Sequence, residues 1–374
     1  MQKDDARSLA RISRWTLGLL GVLLAVLTLL PLIETNVWWI RMLDFARLQE
    51  LAALALVLVL YLVLARPLRA AGWVPVAAMA AAIGYNVYKL HPYAEPFGEN
   101  SVAVAAAECP AGSRIRVLIA NVRMGNRQAG ELLRIVRDVR PDLFLAMETD
   151  EWWDRQLSVL APEFSHRVQD VRGNYFGMHL FSKYELADAD VRFIIGDETP
   201  AIFTNVVLPD GERVDFYGLH PRPPHLWQPS TKRDAQLLLA ALEARSAEDP
   251  VIVAGDFNAV PWERVVRRAM RIGGLLDPRA GRGIVPTYNA QRWVVTWPLD
   301  QVLYQHEFAL VEFRHLPEFG SDHYPVLADL CHLPGAAEWQ EAPRLAANDL
   351  AEAERSINAA LTMSSNTASA RQTR

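Results

Sequence analysis

Three long apolar runs fill the first part of the chain, and short alternating strand and helix patterns follow them. The runs cover residues 15–33, 48–65 and 73–90, and the third is weaker because it contains Asn86 and Lys89. Each run is long enough to cross a bilayer as a helix, and buried soluble helices seldom lack a polar stripe. The pattern therefore predicts a polar segment over residues 1–14 and three transmembrane helices within residues 15–90. Residues 34–38 offer no small-residue cleavage site, which argues against a signal peptide.

Basic residues around these runs predict their orientation. The loop over residues 34–47 has two arginines balanced by two acids, whereas the segments on the other side are more basic, with Lys3, Arg7, Arg11 and Arg14 before the first run and Arg66 and Arg69 after the second. The positive-inside rule then places the N-terminus in the cytoplasm. Three crossings put everything after residue 90 outside it. In a bacterial-type cell the expected location is the inner (plasma) membrane, with a multi-pass anchor and the following domain extracytoplasmic.

The remaining chain predicts one mixed α/β domain. Residues 91–113, rich in proline and alanine, are expected to be a linker, and residues 114–333 the domain. Strands are predicted over residues 114–121, 143–147, 251–254, 302–304, 308–313 and 325–330, helices over 130–140, 231–245 and 261–271, and a hairpin turn at Pro209-Asp210-Gly211. The irregular alternation favours mixed sheets. Residues 334–374 are expected to form a polar, partly disordered tail, with an exposed helix over 342–361.

Polar residues recur where predicted strands end. In VIVAGDFNAVPW, from Val251, an apolar run stops at Gly255, and Asp256 and Asn258 would face one side of an extended segment. The other polar residues at strand ends are Asn121, Glu148, His220, Asp300, Asp322 and His323. Taken singly, each could be a cap, a turn residue or a surface residue. The formal charge of −5 predicts no basic face for a polyanion.

The contexts of these residues together resemble the endonuclease/exonuclease/phosphatase superfamily, in particular its membrane-tethered bacterial members. The matching pieces, in family order, are IANV from Ile119, PDLFLAMET from Pro141, LHPRP from Leu219, GDFNAVP from Gly255, LDQVLY from Leu299 and GSDHYPV from Gly320. The resemblance implies a DNase I-like four-layer α/β sandwich, with two mixed β-sheets packed face to face and helices outside. It also implies metal-dependent hydrolysis of a phosphate ester at one rim of the sandwich.

The same resemblance suggests roles for the polar residues. Mg²⁺, with Mn²⁺ as the alternative, prefers oxygen ligands, and Glu148, Asn121 and Asp322 are the expected metal ligands. The expected catalytic residues are His323, oriented by Asp300, together with Asp256, Asn258 and His220. Either Asp256 or His323 could be the base that activates water, Asn258 would hold the phosphate, and His220 would contact a phosphate oxygen or the leaving group.

Several points stay open at this level. Arg222 and Arg233 are further candidates for phosphate contact, and Gln301 follows Asp300 where relatives often have histidine or tyrosine. Because the first and last strands of this fold are antiparallel neighbours, Cys109 and Cys331 could form a disulfide outside the cytoplasm. The expected partners are the lipid bilayer, through the three helices, and a phosphate-ester substrate, without a stable nucleic-acid complex. No protein partner is indicated.

The resulting hypothesis is a membrane-anchored, Mg²⁺-dependent phosphoesterase. The substrate could be a phosphodiester in nucleic acid or a lipid or sugar headgroup, because the sequence shows neither a strong basic groove nor a recognisable lipid-insertion loop. A sphingomyelinase-like lipid phosphodiesterase is one specific alternative. A non-catalytic membrane scaffold that retains the fold is the other, and it would not depend on a divalent ion.

Overall fold

A computed structural model describes residues 2–64, 70–95 and 101–372. The chain divides into two compact units, an N-terminal helical unit and a second unit that contains every strand in the described ranges. Arg66 and Arg69, which contributed to the orientation argument, lie outside the described residues, as does part of the expected linker.

The helical unit consists of α1 (Gln2–Leu29), α2 (Trp38–Met42), α3 (Arg47–Leu64) and α4 (Trp73–Leu90). Three stretches are long and apolar enough to cross a membrane, namely Ile12–Leu32, Arg47–Leu64 and Ala70–Tyr93, close to the predicted runs. Their packed faces share a small core that includes Leu54, Tyr61 and Met79. Most of their remaining apolar surface is exposed, as a lipid-facing surface would be.

A buried polar cluster joins the three long helices and accounts for the polar residue in the weakest apolar run. The guanidinium of Arg47 donates hydrogen bonds to Asp44 Oδ1 (2.7 Å), to the carbonyl of Thr28 (2.7 Å) and to Asn86 Oδ1 (3.1 Å). A charge is tolerated in an apolar helix pack only when it is paired in this way. Asn86 therefore contributes to the packing of the three helices and does not interrupt the third one.

The second unit contains twelve strands and five α-helices in the described residues. In chain order they are β1 (Arg114–Asn121), α5 (Ala129–Val139), β2 (Leu143–Met147), α6 (Glu151–Leu157), β3 (His166–Asp170), β4 (Met178–Ser182), β5 (Glu185–Arg192), β6 (Ala201–Val207), β7 (Arg213–Leu219), α7 (Thr231–Ser246), β8 (Val251–Asp256), α8 (Arg264–Gly273), β9 (Leu275–Leu276), β10 (Asp300–Gln305), β11 (Phe308–His315), β12 (Val326–His332) and α9 (Asp349–Gln372).

The strands form two six-stranded sheets. Sheet A has the order β11-β12-β1-β2-β4-β3, and sheet B has the order β5-β6-β7-β8-β10-β9. Both sheets are mixed, because β1 and β2 are parallel, β7 and β8 are parallel, and the other pairs are antiparallel. One face of each sheet contributes to a common core, with Ile119 and Leu145 from sheet A and Phe216 and Val302 from sheet B.

Helices cover the two outer faces and complete a four-layer sandwich. Sheet A packs on α5 and α6 through a core that includes Leu132 and Trp153. Sheet B packs on α7 and α8 through Leu237, Val266 and their neighbours. Central strands such as β2 are therefore apolar on both faces, which explains continuous apolar runs such as residues 143–147. The fold class predicted from the sequence is confirmed.

The ends of this unit differ from the sequence-based expectation. Residues 101–104 are packed rather than free, since Ala103 forms a bridge with Leu310 on the edge of sheet A. Helix α9 extends to Gln372 and is not simply exposed, because Ala353 and Ala360 are fully buried against the core of α7. Small alanine contacts give little hydrophobic signal, so the sequence indicated a polar tail where the structure has a packed helix.

Strands β1 and β12 bring the two cysteines together. They pair antiparallel with Arg114 opposite Cys331, and Cys109 forms a disulfide with Cys331 across a sequence separation of 222. The disulfide that the sequence had left as an open possibility is therefore present. Beside it, Arg114 and Arg116 both donate hydrogen bonds to the buried carboxylate of Asp329, so the same strand pair is also held by charge.

Candidate active site

Strand directions bring all the predicted polar residues to one rim of the sandwich. Strands β1, β2 and β8 end at Asn121, just before Glu148, and at Asp256, whereas β10 begins at Asp300. Asp300 lies opposite Asp256 in the antiparallel β8–β10 pair. Strand β12 starts beside the end of β1, with Val326 opposite Ile119, so the preceding residues 322–323 reach the same rim.

A hydrogen-bonded amide links the two sheets at the centre of this rim. Asn121 Nδ2 donates to Glu148 Oε1 (3.0 Å) and to Asp256 Oδ2 (3.1 Å), so one side chain of sheet A contacts a carboxylate from each sheet. Glu148 also accepts from the backbone N–H of Met124 at 3.1 Å. The carboxylate of Glu148 is half-buried, which leaves part of it accessible to a ligand.

Glu148 has an unusual backbone conformation that aims its side chain. Its φ is 63°, in the left-handed region that residues other than glycine rarely adopt. The following residue, Thr149, is held by a hydrogen bond from its N–H to the carbonyl of Gly177 at 3.1 Å. Such strained positions cluster at functional sites, where surrounding contacts hold them.

His323 and Asp300 form a buried pair beside Asp256. Asp300 Oδ2 is 2.8 Å from His323 Nδ1, and Asp256 Oδ2 is 3.6 Å from His323 Nε2. Burial lowers the pKa of His323, but the carboxylates of Asp300 and Asp256 outweigh it and raise this pKa to about 10. A carboxylate on Nδ1 fixes the ring orientation, so Nε2 is the atom available on the side of Asp256.

His220 and Asn258 complete the rim from sheet B. His220 Nε2 lies 3.9 Å from Asp256 Oδ2, and its buried Nδ1 has no hydrogen-bond partner within the described chain. Asn258 Nδ2 donates to the carbonyl of Pro221 at 3.0 Å, and its N–H donates to Asp256 Oδ1 at 2.9 Å. A carboxamide nitrogen has two hydrogens. Asn258 therefore has one hydrogen left for another acceptor.

Asp322 lies at the more open side of the rim. It is half-buried, and its Oδ2 is 3.8 Å from Nε of the exposed Arg123. Its charge reaches Tyr288, because burial first and then Asp322 and Asp256 raise the pKa of that phenol. Tyr288 also packs on the His323 ring, with centroids 4.9 Å apart. Tyr288 was not found from the sequence, since its segment matches no family motif.

Two buried arginines, Arg233 and Arg279, support loops and strands of the site, and the sequence did not indicate this supporting role. Arg233 is fully buried, and it donates to the carbonyl of Asn258 (2.7 Å), to Asp234 and to Glu263. It therefore holds the Asn258 loop and is not available for the phosphate contact that the sequence had left open. Arg279, also fully buried, donates to the carbonyl of Asp300.

One group of acidic and histidine side chains among the described residues of the rim has ligand atoms close enough to share a metal. Asp256, Asp300 and His323 have ligand atoms that all lie within 4.8 Å of one another. In that group, however, Nδ1 of His323 already contacts Asp300. Glu148, Asn121 and Asp322 offer oxygen donors with partly accessible carboxylates, and this donor chemistry fits Mg²⁺ better. The ligand roles of these three residues remain predictions.

The comparisons with known proteins agree with this geometry. The family model described as the Endonuclease/Exonuclease/phosphatase family matches residues 118–323. A crystal structure of D. rerio TDP2 with a single-strand DNA product has a TM-score of 0.51 at 15% identity, with 58% of this chain and 99% of that chain covered. An endonuclease/exonuclease/phosphatase from Beutenbergia cavernae DSM 12333 has a TM-score of 0.50 at 17% identity, covering 59% and 72%. No curated protein sequence matches the chain.

The architecture is DNase I-like, and the matching family model indicates a phosphoesterase-type hydrolase. The family model covers more than half of the chain. The chain belongs to the endonuclease/exonuclease/phosphatase family.

Proposed function

We propose that the chain is a membrane-anchored, Mg²⁺-dependent phosphoesterase whose catalytic unit lies outside the cytoplasm of a bacterial cell. The observation that supports this most directly is the continuous set of contacts from Glu148 through Asn121 and Asp256 to His323 and Asp300. A scaffold that had lost catalysis would have no reason to keep this buried, charge-rich arrangement. Buried charges are costly unless they are paired or used.

Glu148, Asn121 and Asp322 would hold the metal. When bound, a divalent cation supplies neutralisation of the phosphate charge. Glu148 and Asp322 would contribute two negative charges. Asn121 would contribute its amide oxygen, while its amide nitrogen stays hydrogen-bonded to the carboxylates of Glu148 and Asp256. Mn²⁺, which also accepts oxygen ligands, is the expected substitute for Mg²⁺.

The remaining residues divide the proton transfers and the positioning of the phosphate. Asp256 lies between the two histidines, and either Asp256 or Nε2 of His323 would accept the proton from water. The carboxylates of Asp300 and Asp256 raise the pKa of His323, and a cation bound at the rim would lower this pKa again and so favour His323 as a base. Asn258 would donate its second amide hydrogen to a phosphate oxygen, and His220 would donate from Nε2 to a phosphate oxygen or the leaving group.

The proposed location rests on two features. Three apolar helices precede the catalytic unit, and the basic residues around them favour a cytoplasmic N-terminus, which is why we propose that this unit lies on the outer side. The Cys109–Cys331 disulfide fits that side, since structural disulfides persist in oxidising compartments and are rare in the cytosol. The proposed partners are the lipid bilayer, which the three helices would span, and a phosphate-ester substrate.

The test uses the full chain in lipid nanodiscs. Turnover of bis-p-nitrophenyl phosphate, single-stranded and duplex DNA, and choline phospholipids is measured with Mg²⁺, with Mn²⁺ and with a chelator. We expect hydrolysis of at least the generic diester, and we expect the chelator to remove it. His323→Gln should reduce turnover by about 10²–10⁴-fold, the usual contribution of a general acid or base.

The matched control is His166→Gln. His166 lies at the start of β3, opposite Ser182, and β4 pairs Ser182 with Leu143 at the start of β2, so His166 is at the rim opposite the site. This variant should keep full turnover. Turnover that persists in chelator would refute the metal dependence, and equal turnover for both histidine variants would refute the role of His323. No turnover of any of these substrates would favour the scaffold hypothesis.

A further inference from the structure

One loop of the catalytic unit exposes large apolar side chains in succession. In the loop of residues 291–296, here the Trp293 loop, Trp293 is 93% exposed, Val294 50% and Val295 45%. Single exposed apolar residues are ordinary on protein surfaces, but a contiguous exposed group marks an interaction site. These apolar side chains do not serve the core of the fold, since they are exposed to solvent.

The base of the loop is fastened to the candidate active site. The N–H of Ala290 donates to the carbonyl of Asp322 at 2.8 Å, and the hydroxyl of Tyr324 donates to the carbonyl of Ala290 at 3.2 Å. On the other side, Tyr288 and Trp297 pair as a β-bridge, and Tyr288 also bridges to His323. An apolar tip is thus held at a fixed position beside the residues proposed to act on phosphate.

The residue types at the tip of the loop indicate which kind of surface it would bind. Its order is Arg292, Trp293, Val294 and Val295, a cation followed by an aromatic and two aliphatic side chains. Tryptophan favours the interfacial region of a bilayer, aliphatic side chains favour the acyl region, and arginine attracts anionic headgroups. Single-stranded nucleic acid is instead bound by stacked aromatics along a basic groove. Two valines cannot stack on bases, and the chain has a net charge of −5.

We propose that the Trp293 loop docks on a lipid bilayer, with Trp293, Val294 and Val295 in the interfacial layer. The proposal builds on the proposed function, because docking there would present membrane phosphate esters to the rim. The three apolar helices carried by the same chain make a bilayer the surface that is always available, at a high effective concentration.

The experiment labels the loop in the full chain. Both native cysteines are paired in the disulfide, so Trp293→Cys offers a single thiol for an environment-sensitive fluorophore. The matched control is Trp339→Cys. Trp339 is 67% exposed and follows β12, whose last residues lie at the end of sheet A opposite the site. Both proteins are reconstituted in nanodiscs that contain phosphatidylcholine and phosphatidylglycerol.

We expect the label at residue 293, and not the label at residue 339, to shift to shorter wavelength and to be quenched by lipids with a spin label on the acyl chain. Equal quenching at both positions, or no quenching at residue 293, would overturn the proposal. A spectral change at residue 293 produced by single-stranded DNA instead of lipid would also overturn it, and would assign the loop to nucleic acid.

A second measurement separates this proposal from the proposed function. Trp293→Ala should reduce turnover of a bilayer phosphate ester by about tenfold, from the lost burial of one large apolar side chain. It should leave turnover of soluble bis-p-nitrophenyl phosphate unchanged. Wild-type protein without diester turnover would refute the proposed function and leave the quenching result as the test of docking. Loss of diester turnover in Trp293→Ala would show that Trp293 belongs to the site itself.

Discussion

Removing the Cys109–Cys331 disulfide should destabilise the catalytic unit strongly. The bond closes a loop with a sequence separation of 222, nearly the whole unit. In the chain-entropy description, a loop of that size stabilises the folded state by about 5 kcal/mol at 25 °C. Domains of this size have a total stability of about 5–15 kcal/mol, so the expected loss is a large fraction of the total.

The substitutions are Cys109→Ala and Cys331→Ala together. Alanine is preferred to serine because Cys331 is fully buried beside Ala309 and Ala336, where a hydroxyl without a partner would add its own cost. Pulse proteolysis of the full chain across a series of urea concentrations measures the free energy of unfolding of the catalytic unit. Oxidised wild type, reduced wild type and the double variant are compared.

We expect the reduced wild type and the double variant to unfold at similar urea concentrations, both well below the oxidised protein. If reduction leaves the transition of the wild type unchanged, the β1–β12 pairing and the Asp329 ion pairs already hold the two strands, and the loop-closure argument is wrong. Alkylation of both thiols in intact cells would further contradict the proposed extracytoplasmic location.

Three other predictions concern the site and the core. Asp300→Asn should lower diester turnover by about 10²–10⁴-fold without unfolding the protein, because His323 Nδ1 loses its charged partner; turnover together with circular dichroism tests this, and near wild-type rates would contradict it. Glu148→Gln should raise the Mg²⁺ concentration needed for half-maximal turnover by at least about 10–100-fold, because loss of a residue that only supports a metal ligand already has an effect of that size. The control is Glu131→Gln, on the exposed face of α5. Equal Mg²⁺ requirements for the two variants would exclude Glu148 as a ligand. Leu145→Ala should cost about 2–5 kcal/mol of stability in urea unfolding and leave the Mg²⁺ requirement unchanged, because Leu145 fills the space between the sheets away from the rim.

The sequence predicted those parts of the fold whose apolar pattern is continuous. The observed bounds of β1, β2 and α4 match the predicted ones, and the rim was predicted because each family motif follows or precedes a core strand. Edge elements were missed for a physical reason. Strand β3 is half-exposed along its length and has one aliphatic residue, Val168, so its pattern does not differ from that of a loop.

The supporting residues of the site could not be predicted in the same way. Arg233 and Arg279 are buried because their partners, the carbonyls of Asn258 and Asp300, come from distant parts of the chain. A buried arginine and a surface arginine look alike in a sequence, since the difference lies in the geometry of partners that only the folded chain brings together. The exposure of Trp293 could not be predicted either, since a buried and an exposed tryptophan also look alike in a sequence.

The position of β12 between β11 and β1 governs when this unit can fold. Strand β1 is the first strand to be synthesised and β12 the last, yet they are neighbours in the middle of sheet A. A chain that emerges from the N-terminus cannot close this sheet until residue 332 has appeared, so early strands wait without their partner. Such late closure also postpones the Cys109–Cys331 bond, because Cys331 lies in β12 and is synthesised after almost the whole unit.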